Sequence, residues 1–188
     1  MFMQDYSPDA IDVQIADLMV ATADNADAAV DTQVQQVLKL LREKMDMDVV
    51  FVSRFEHGRR TILRVEHRPG WNVLSPGTSD PLEESWCQRV VDGRIPQLIP
   101  DARPYIQERK VPAPAFPIGT HLSTPVAARD GATFGTLCCF SFQPKGSVAE
   151  QDLKRLQYAA QLLTMRLQKS RGPTANEMKL QPMKGAGS

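Results

Sequence analysis

From Thr32 onward, apolar residues recur at helical spacing. Val34, Val37, Leu38, Leu41 and Met45 form one stripe, and Lys39, Arg42, Glu43 and Lys44 lie opposite. The stripe predicts an amphipathic helix. The period then changes: in DVVFVSRFEHGRRTILRVEH, two runs rich in β-branched and aromatic residues flank His57-Gly58-Arg59, which predicts a hairpin. Alternation puts Val49, Phe51 and Phe55 on one face of the first strand and Val50 and Val52 on the other. Both faces are apolar, so the sheet is expected to be covered on both sides here.

A loop punctuated by Pro69-Gly70 and Pro76-Gly77 leads to DPLEESWCQRVVDG, residues 80–93. Asp80 suits a helix N-cap, Pro81 the first helical position and Glu83 a capping-box partner. Leu82, Trp86, Cys87, Val90 and Val91 share one side of that helix, and Gly93 is placed to end it in the left-handed conformation. RIPQLIPDA then reads as a short strand, followed by a helical turn and the proline-dense VPAPAFPIGTH. HLSTPVAA and ATFGTLCCFSF, joined across Arg129-Asp130-Gly131, predict a second hairpin. In the final pattern Leu153, Leu156, Ala160, Leu163 and Leu167 alternate three and four apart, a heptad-like seam on a long helix.

The periodicity divides the chain into three parts. Residues 1–31 read as an acidic arm or marginal helix, residues 32–169 as the folded unit, and residues 170–188, which carry no periodicity, as a disordered tail. Helix, hairpin, helix, strand, loop, hairpin, helix is an α+β order built on an antiparallel sheet.

Composition narrows the function classes. Lys+Arg and Asp+Glu are 22 each, so no basic footprint points to nucleic acid. No apolar stretch reaches the length of a membrane span, and the N-terminus lacks a signal-peptide pattern, so a cytoplasmic location is expected. Three cysteines with no export signal read as free thiols.

The segments MDMDVVFVSRFEHGRR, DPLEESWCQRVVDGRIPQLIPDA and IGTHLSTPVAARDGATFGTLCCFSF, in that order, resemble a GAF domain of the bacterial signalling subgroup often fused to EAL or GGDEF domains. The resemblance implies a PAS-related fold. A central antiparallel sheet of five to six strands would carry the terminal helices on one face, with short helices and loops roofing a ligand pocket on the other. It also implies a homodimer through the terminal helices, and an EAL/GGDEF or kinase output domain as partner.

Within that frame the candidate pocket residues are Trp86, Cys87, Val90, Asp101, His121 and Ser123. Trp86 offers a flat apolar face with one donor. Cys87, on the apolar stripe with only Arg89 as a charged sequence neighbour, reads as buried wall rather than as a nucleophile. An imidazole or another sulfur beside it would overturn that reading. Cys138 and Cys139 are adjacent in a strand and point to opposite faces. His121, at a strand entrance beneath the proline-rich loop, could reach a ligand or bond a loop carbonyl. His57 reads as solvated, and His67 has no second ligand at metal spacing.

No zinc signature, phosphate loop, Ser-His-Asp elbow or catalytic carboxylate pair is present. The stretch ARPYIQERKVPAPAFPI lacks the cysteine that bilin-binding members use. The expectation is therefore a sensor of an unidentified small molecule, with no resident cofactor and no enzymatic activity. The alternatives are a thiol-dependent free methionine sulfoxide reductase-like enzyme and a degenerate dimerisation scaffold.

Overall fold

The computed structural model describes residues 8–20, 27–128 and 130–170. Helix α1 (Ala10–Val20) and helix α2 (Asp27–Lys44) precede strands β1 (Val49–Glu56), β2 (Arg59–His67) and the short β3 (Ser79–Pro81). A 3-10 turn (Leu82–Glu84) and helix α3 (Trp86–Val91) lead to β4 (Leu98–Ile99) and α4 (Arg103–Gln107). The chain then forms β5 (Thr120–Ala127), β6 (Thr133–Ser141) and α5 (Glu150–Ser170). The six strands make one antiparallel sheet in the order β3-β2-β1-β6-β5-β4.

Strand alternation sorts the apolar residues into two layers. Val50, Val52 and Cys139 face the core formed with α1, α2 and α5, while Val49, Phe51 and Cys138 face the opposite cluster. A bulge at Leu63 shifts the β1–β2 register between Val52 and Ser53. His57 and Gly58 both take positive φ, 51° and 70°, as the tight hairpin turn between β1 and β2 requires.

The helical layer is larger than the sequence pattern indicates. Helix α2 begins at Asp27, five positions before the stripe becomes regular. Helix α1 is part of the same core: Ile15 is fully buried in it. Asp9 caps α1, accepting from the amides of Ile11 and Asp12, while Asp12 accepts from the amide of Asp9. Arg155 of α5 pairs with Asp9 and lies 3.7 Å from the buried Asp12, which ties the first helix to the last. The tail from 171 to 188 lies outside the described residues.

Leu153, Leu156, Ala160 and Leu163 are buried against the chain's own sheet and helices. The seam serves intramolecular packing over those positions, so a dimer through α5 would have to use another face of that helix.

The segment from Asp80 departs from expectation. Asp80 and Pro81 are not a helix cap and a first helical residue; they belong to an edge strand, with Arg60 opposite Asp80 and Arg59 opposite Pro81. Proline is tolerated on such an edge because it has no amide to contribute. The Asp80 carboxylate is engaged by the Arg60 guanidinium and is not free to cap. Ser85 caps instead, its hydroxyl accepting from the amide of Gln88, and α3 starts at Trp86. Gly93, at φ 71°, ends the helix as expected.

Candidate functional site

The sheet face opposite the long helices forms the floor of a cavity of about 450 Å³. Phe51 of β1, Arg60 of β2, His121 of β5 and Phe140 of β6 make that floor. The roof comes from the loop carrying Val73, Leu74 and Thr78, from the turn before α3, and from the proline-rich stretch Pro112–Phe116. The Trp86 indole donates to the Pro112 carbonyl at 3.0 Å, pinning α3 to the proline loop. Phe116 stacks on Phe140, with centroids 5.2 Å apart and planes at 14°. Most of the lining is apolar and aromatic, with a few polar groups, the usual make-up of a small-molecule pocket.

His121 is one of those polar groups. It is 2% exposed, and its Nδ1 is buried with no hydrogen-bond partner among the described residues. Burial, followed by the Arg60 charge, pushes it down to about 3, so the ring is neutral at ordinary pH and offers one donor and one acceptor. A buried polar atom left unpaired costs roughly 1–3 kcal/mol.

Arg60 and Asp80 form the charged corner. The guanidinium donates from Nε to Oδ1 at 3.0 Å and from a terminal nitrogen to Oδ2 at 2.5 Å. Its other terminal nitrogen lies 3.4 Å from Cys87 Sγ, and its centre sits 5.8 Å from the Phe51 ring centroid. Burial opposes the charge on Arg60, but Cys87 and Asp80 outweigh it and hold the group protonated.

Beside the cavity, on the same sheet face, the two sulfurs of Cys87 and Cys138 approach to 3.3 Å. Cys138 Sγ also lies 2.9 Å from Ser123 Oγ and 3.1 Å from Thr136 Oγ1, and Thr136 bonds Ser53 at 2.8 Å. The result is a buried polar seam across an otherwise apolar sheet face. The hydrogen bond with Cys138, assisted by Arg60, outweighs burial and pulls the Cys87 thiol down. Burial and the neighbouring Cys87 push Cys138 up. Cys139, on the far face, is raised by its own burial.

The residues singled out from the sequence divide accordingly. Trp86 and His121 line the cavity and meet edge to face. Cys87 and Ser123 lie beside it in the sulfur–hydroxyl seam, and Val90 packs beside Trp86 in a small cluster with Ile95 and Ile99. Asp101 lies outside the lining, paired with Arg103 at 2.6 Å. The reading of Cys87 as inert wall needs correction: it is fully buried, but its neighbours are a second sulfur and a guanidinium. Arg89, the cation adjacent in sequence, instead bonds the carbonyls of Glu83 and Ser85. Arg60 and Asp80 escaped notice because only the β2–β3 pairing brings them together, and the sequence signal at Asp80 favoured a helix cap.

His57 is solvated, and His67 accepts from the Leu74 amide at 3.3 Å. Among the described residues no cluster of three or more potential metal ligands exists, and no helix is long and apolar enough to cross a membrane.

A family model for the GAF domain matches residues 27–168. The chain belongs to the GAF-domain family. Among solved structures, this GAF domain is similar to the GAF domain of an Acinetobacter phosphoenolpyruvate-protein phosphotransferase. The TM-score is 0.66 at 14% identity, covering 94% of this chain and 99% of that one. It is also similar to a putative GAF sensor protein from Burkholderia vietnamiensis, with TM-score 0.67, 13% identity, and 86% and 97% coverage. A third similarity is to a free methionine-R-sulfoxide reductase from Neisseria meningitidis, with TM-score 0.65, 15% identity, and 88% and 94% coverage. Identities this low establish a shared fold. No curated protein matches the sequence. The cavity of this GAF domain lies between the sheet and the short elements, and the long helices pack on the other side.

Proposed function

We propose that this GAF domain is a sensor that binds a small, largely apolar molecule in the cavity above Phe51 and Phe140. The observation that carries the reading is the mostly apolar cavity floored by Phe51, His121 and Phe140 and roofed by the proline-rich stretch. A ligand with one hydrogen-bonding group and an aromatic or aliphatic body matches that lining. A ligand that favours one arrangement of the proline-rich roof shifts the equilibrium towards it. Strands β5 and β6, which touch α5, would pass the shift to a partner or fused output domain, of which a cyclic-di-GMP-handling domain is one kind. Native mass spectrometry of protein purified from its own host tests this: a retained molecule released by His121→Phe supports the reading. Preparations free of any adduct, together with no small-molecule-dependent change in melting temperature across a metabolite panel, would contradict it.

A second reading, thiol-dependent sulfoxide reduction, draws support from the Cys87–Cys138 contact. Both sulfurs lie outside the lining rather than in it, which ranks this reading below the sensor. Turnover of free methionine sulfoxide with a thiol reductant, lost in Cys87→Ser, would reverse the ranking. The open cavity weighs against a pocketless scaffold.

A further inference from the structure

We infer that Cys87 and Cys138 form a reversible oxidation site, closed to an intramolecular disulfide by a small hydroperoxide that arrives through the cavity. This goes beyond ligand sensing and holds whichever molecule the cavity accepts.

Two sulfurs 3.3 Å apart need to close by only about 1.3 Å to reach a disulfide bond length near 2.0 Å. The pair bridges α3 and β6, elements otherwise joined by packing alone. Arg60 beside Cys87 favours its thiolate, while Ser123 and Thr136 hold the Cys138 thiol. One sulfur is thus arranged as nucleophile and the other as resolving thiol. Cys139 lies in the other core layer, on the far face of β6 from Cys87 and Cys138.

Burial selects the oxidant. Both cysteines are fully buried, so a bulky disulfide such as glutathione disulfide cannot reach them, whereas hydrogen peroxide is close to water in size. Arg60 lines the cavity and its guanidinium lies 3.4 Å from Cys87 Sγ, so at that point one side chain stands between the cavity and the sulfur.

The chemistry balances. The Cys87 thiolate attacks one peroxide oxygen, the O–O bond breaks, and hydroxide leaves to take up the proton that the thiol released. Cys87 is then a sulfenic acid. The Cys138 sulfur attacks Cys87 Sγ, the S–O bond breaks, and the departing hydroxide takes the Cys138 proton as water. Two thiols and one peroxide give one disulfide and two waters; the sulfurs lose the two electrons that the O–O bond gains. A dithiol reductant small enough to enter through the cavity reverses it.

The test treats the full chain with a slight excess of hydrogen peroxide, quenches, denatures and alkylates it, and maps the peptides by mass spectrometry. The expected product is a monomer lighter by two hydrogens, with Cys87 and Cys138 peptides joined and Cys139 alkylated. In Cys138→Ser, a sulfenic-acid trap such as dimedone, added with the denaturant, should label Cys87. Arg60→Gln should slow disulfide formation by roughly tenfold and Arg60→Lys should restore most of it, separating charge from packing. Cys139→Ser should react like the parent. Thiols that stay free after peroxide treatment, bonds through Cys139, or crosslinks between chains would each overturn the assignment. If a variant fails to fold, the peptide map of the unaltered chain decides alone. A ligand found in the cavity, or none, leaves this result readable, so the two proposals fail separately.

Discussion

The rings of Trp86 and His121 meet edge to face, with centroids 5.2 Å apart and planes at 62°. The indole comes from a six-residue helix and the imidazole from the second residue of β5, so the contact joins the roof of the cavity to its floor. The chain has two tryptophans, and the other, Trp71, is 51% exposed and meets Phe142 at a tilt. In Trp71→Phe the remaining indole reports the cavity alone. Its emission should lie at shorter wavelength than that of Trp86→Phe, with weaker quenching by acrylamide. Equal quenching in the two variants would mean that solvent reaches the Trp86 wall freely.

His121 should make the fold acid-sensitive. Its folded value, about 3, lies below the 6.5 of an unperturbed histidine. Between those limits the unfolded chain binds a proton that the folded chain refuses, so stability falls as pH drops through the window. His67, lowered by burial against an opposing pull from Glu66, acts in the same sense. The depressed carboxylates of Asp9 and Asp46 matter only below about pH 4. One such histidine contributes at most about 1.4 kcal/mol per pH unit. Urea titrations at pH 6.5 and 4.5 should show a shallower loss in His121→Gln than in the parent chain; identical slopes would mean that the imidazole is not buried neutral.

Gly135 should not tolerate a side chain. A Cβ there would meet the Ser53 carbonyl oxygen at 1.9 Å, in the centre of the sheet. Gly135→Ala is expected to cost at least about 2 kcal/mol through overpacking and local loss of the β1–β6 ladder. Thermal unfolding by circular dichroism reads it, and a melting temperature within error of the parent would refute the close approach.

Arg155 should anchor the first helix. It is 7% exposed and faces Asp9, Asp12 and Asp152. Arg155→Ala removes a cation 3.7 Å from the fully buried Asp12 carboxylate, a change of about 3 kcal/mol. Hydrogen exchange should then rise first in Ala10–Val20. Uniform exchange across the chain would place the anchor elsewhere.

Strand alternation and helical period made most of the fold legible. They placed Phe51 and Val52 on opposite faces, separated Cys138 from Cys139, and put the turns at Gly58 and Gly131. What stayed hidden depended on pairing at a distance. Asp80 offers a good local cap, yet Arg60, twenty positions earlier, draws its carboxylate into an edge strand. Helix α1 has a weak stripe of its own and is secured by Ile15 in the core and by Arg155. Of the site, Trp86 and His121 were readable because a burial pattern and a loop position sufficed. The relation of Cys87 to Cys138 was not, because no sequence rule reports which strand position lies under a helix.

The side chains of Cys138 and Cys139 leave the same strand in opposite directions, one towards the sulfur pair and the other into the layer with α5. A single peptide unit therefore connects the two chambers of the molecule. Drawing Cys138 towards α3 would strain that unit and, through it, the packing of its neighbour on the other side. Chemistry at the front of the domain thus has a one-residue mechanical lever to the helices at the back.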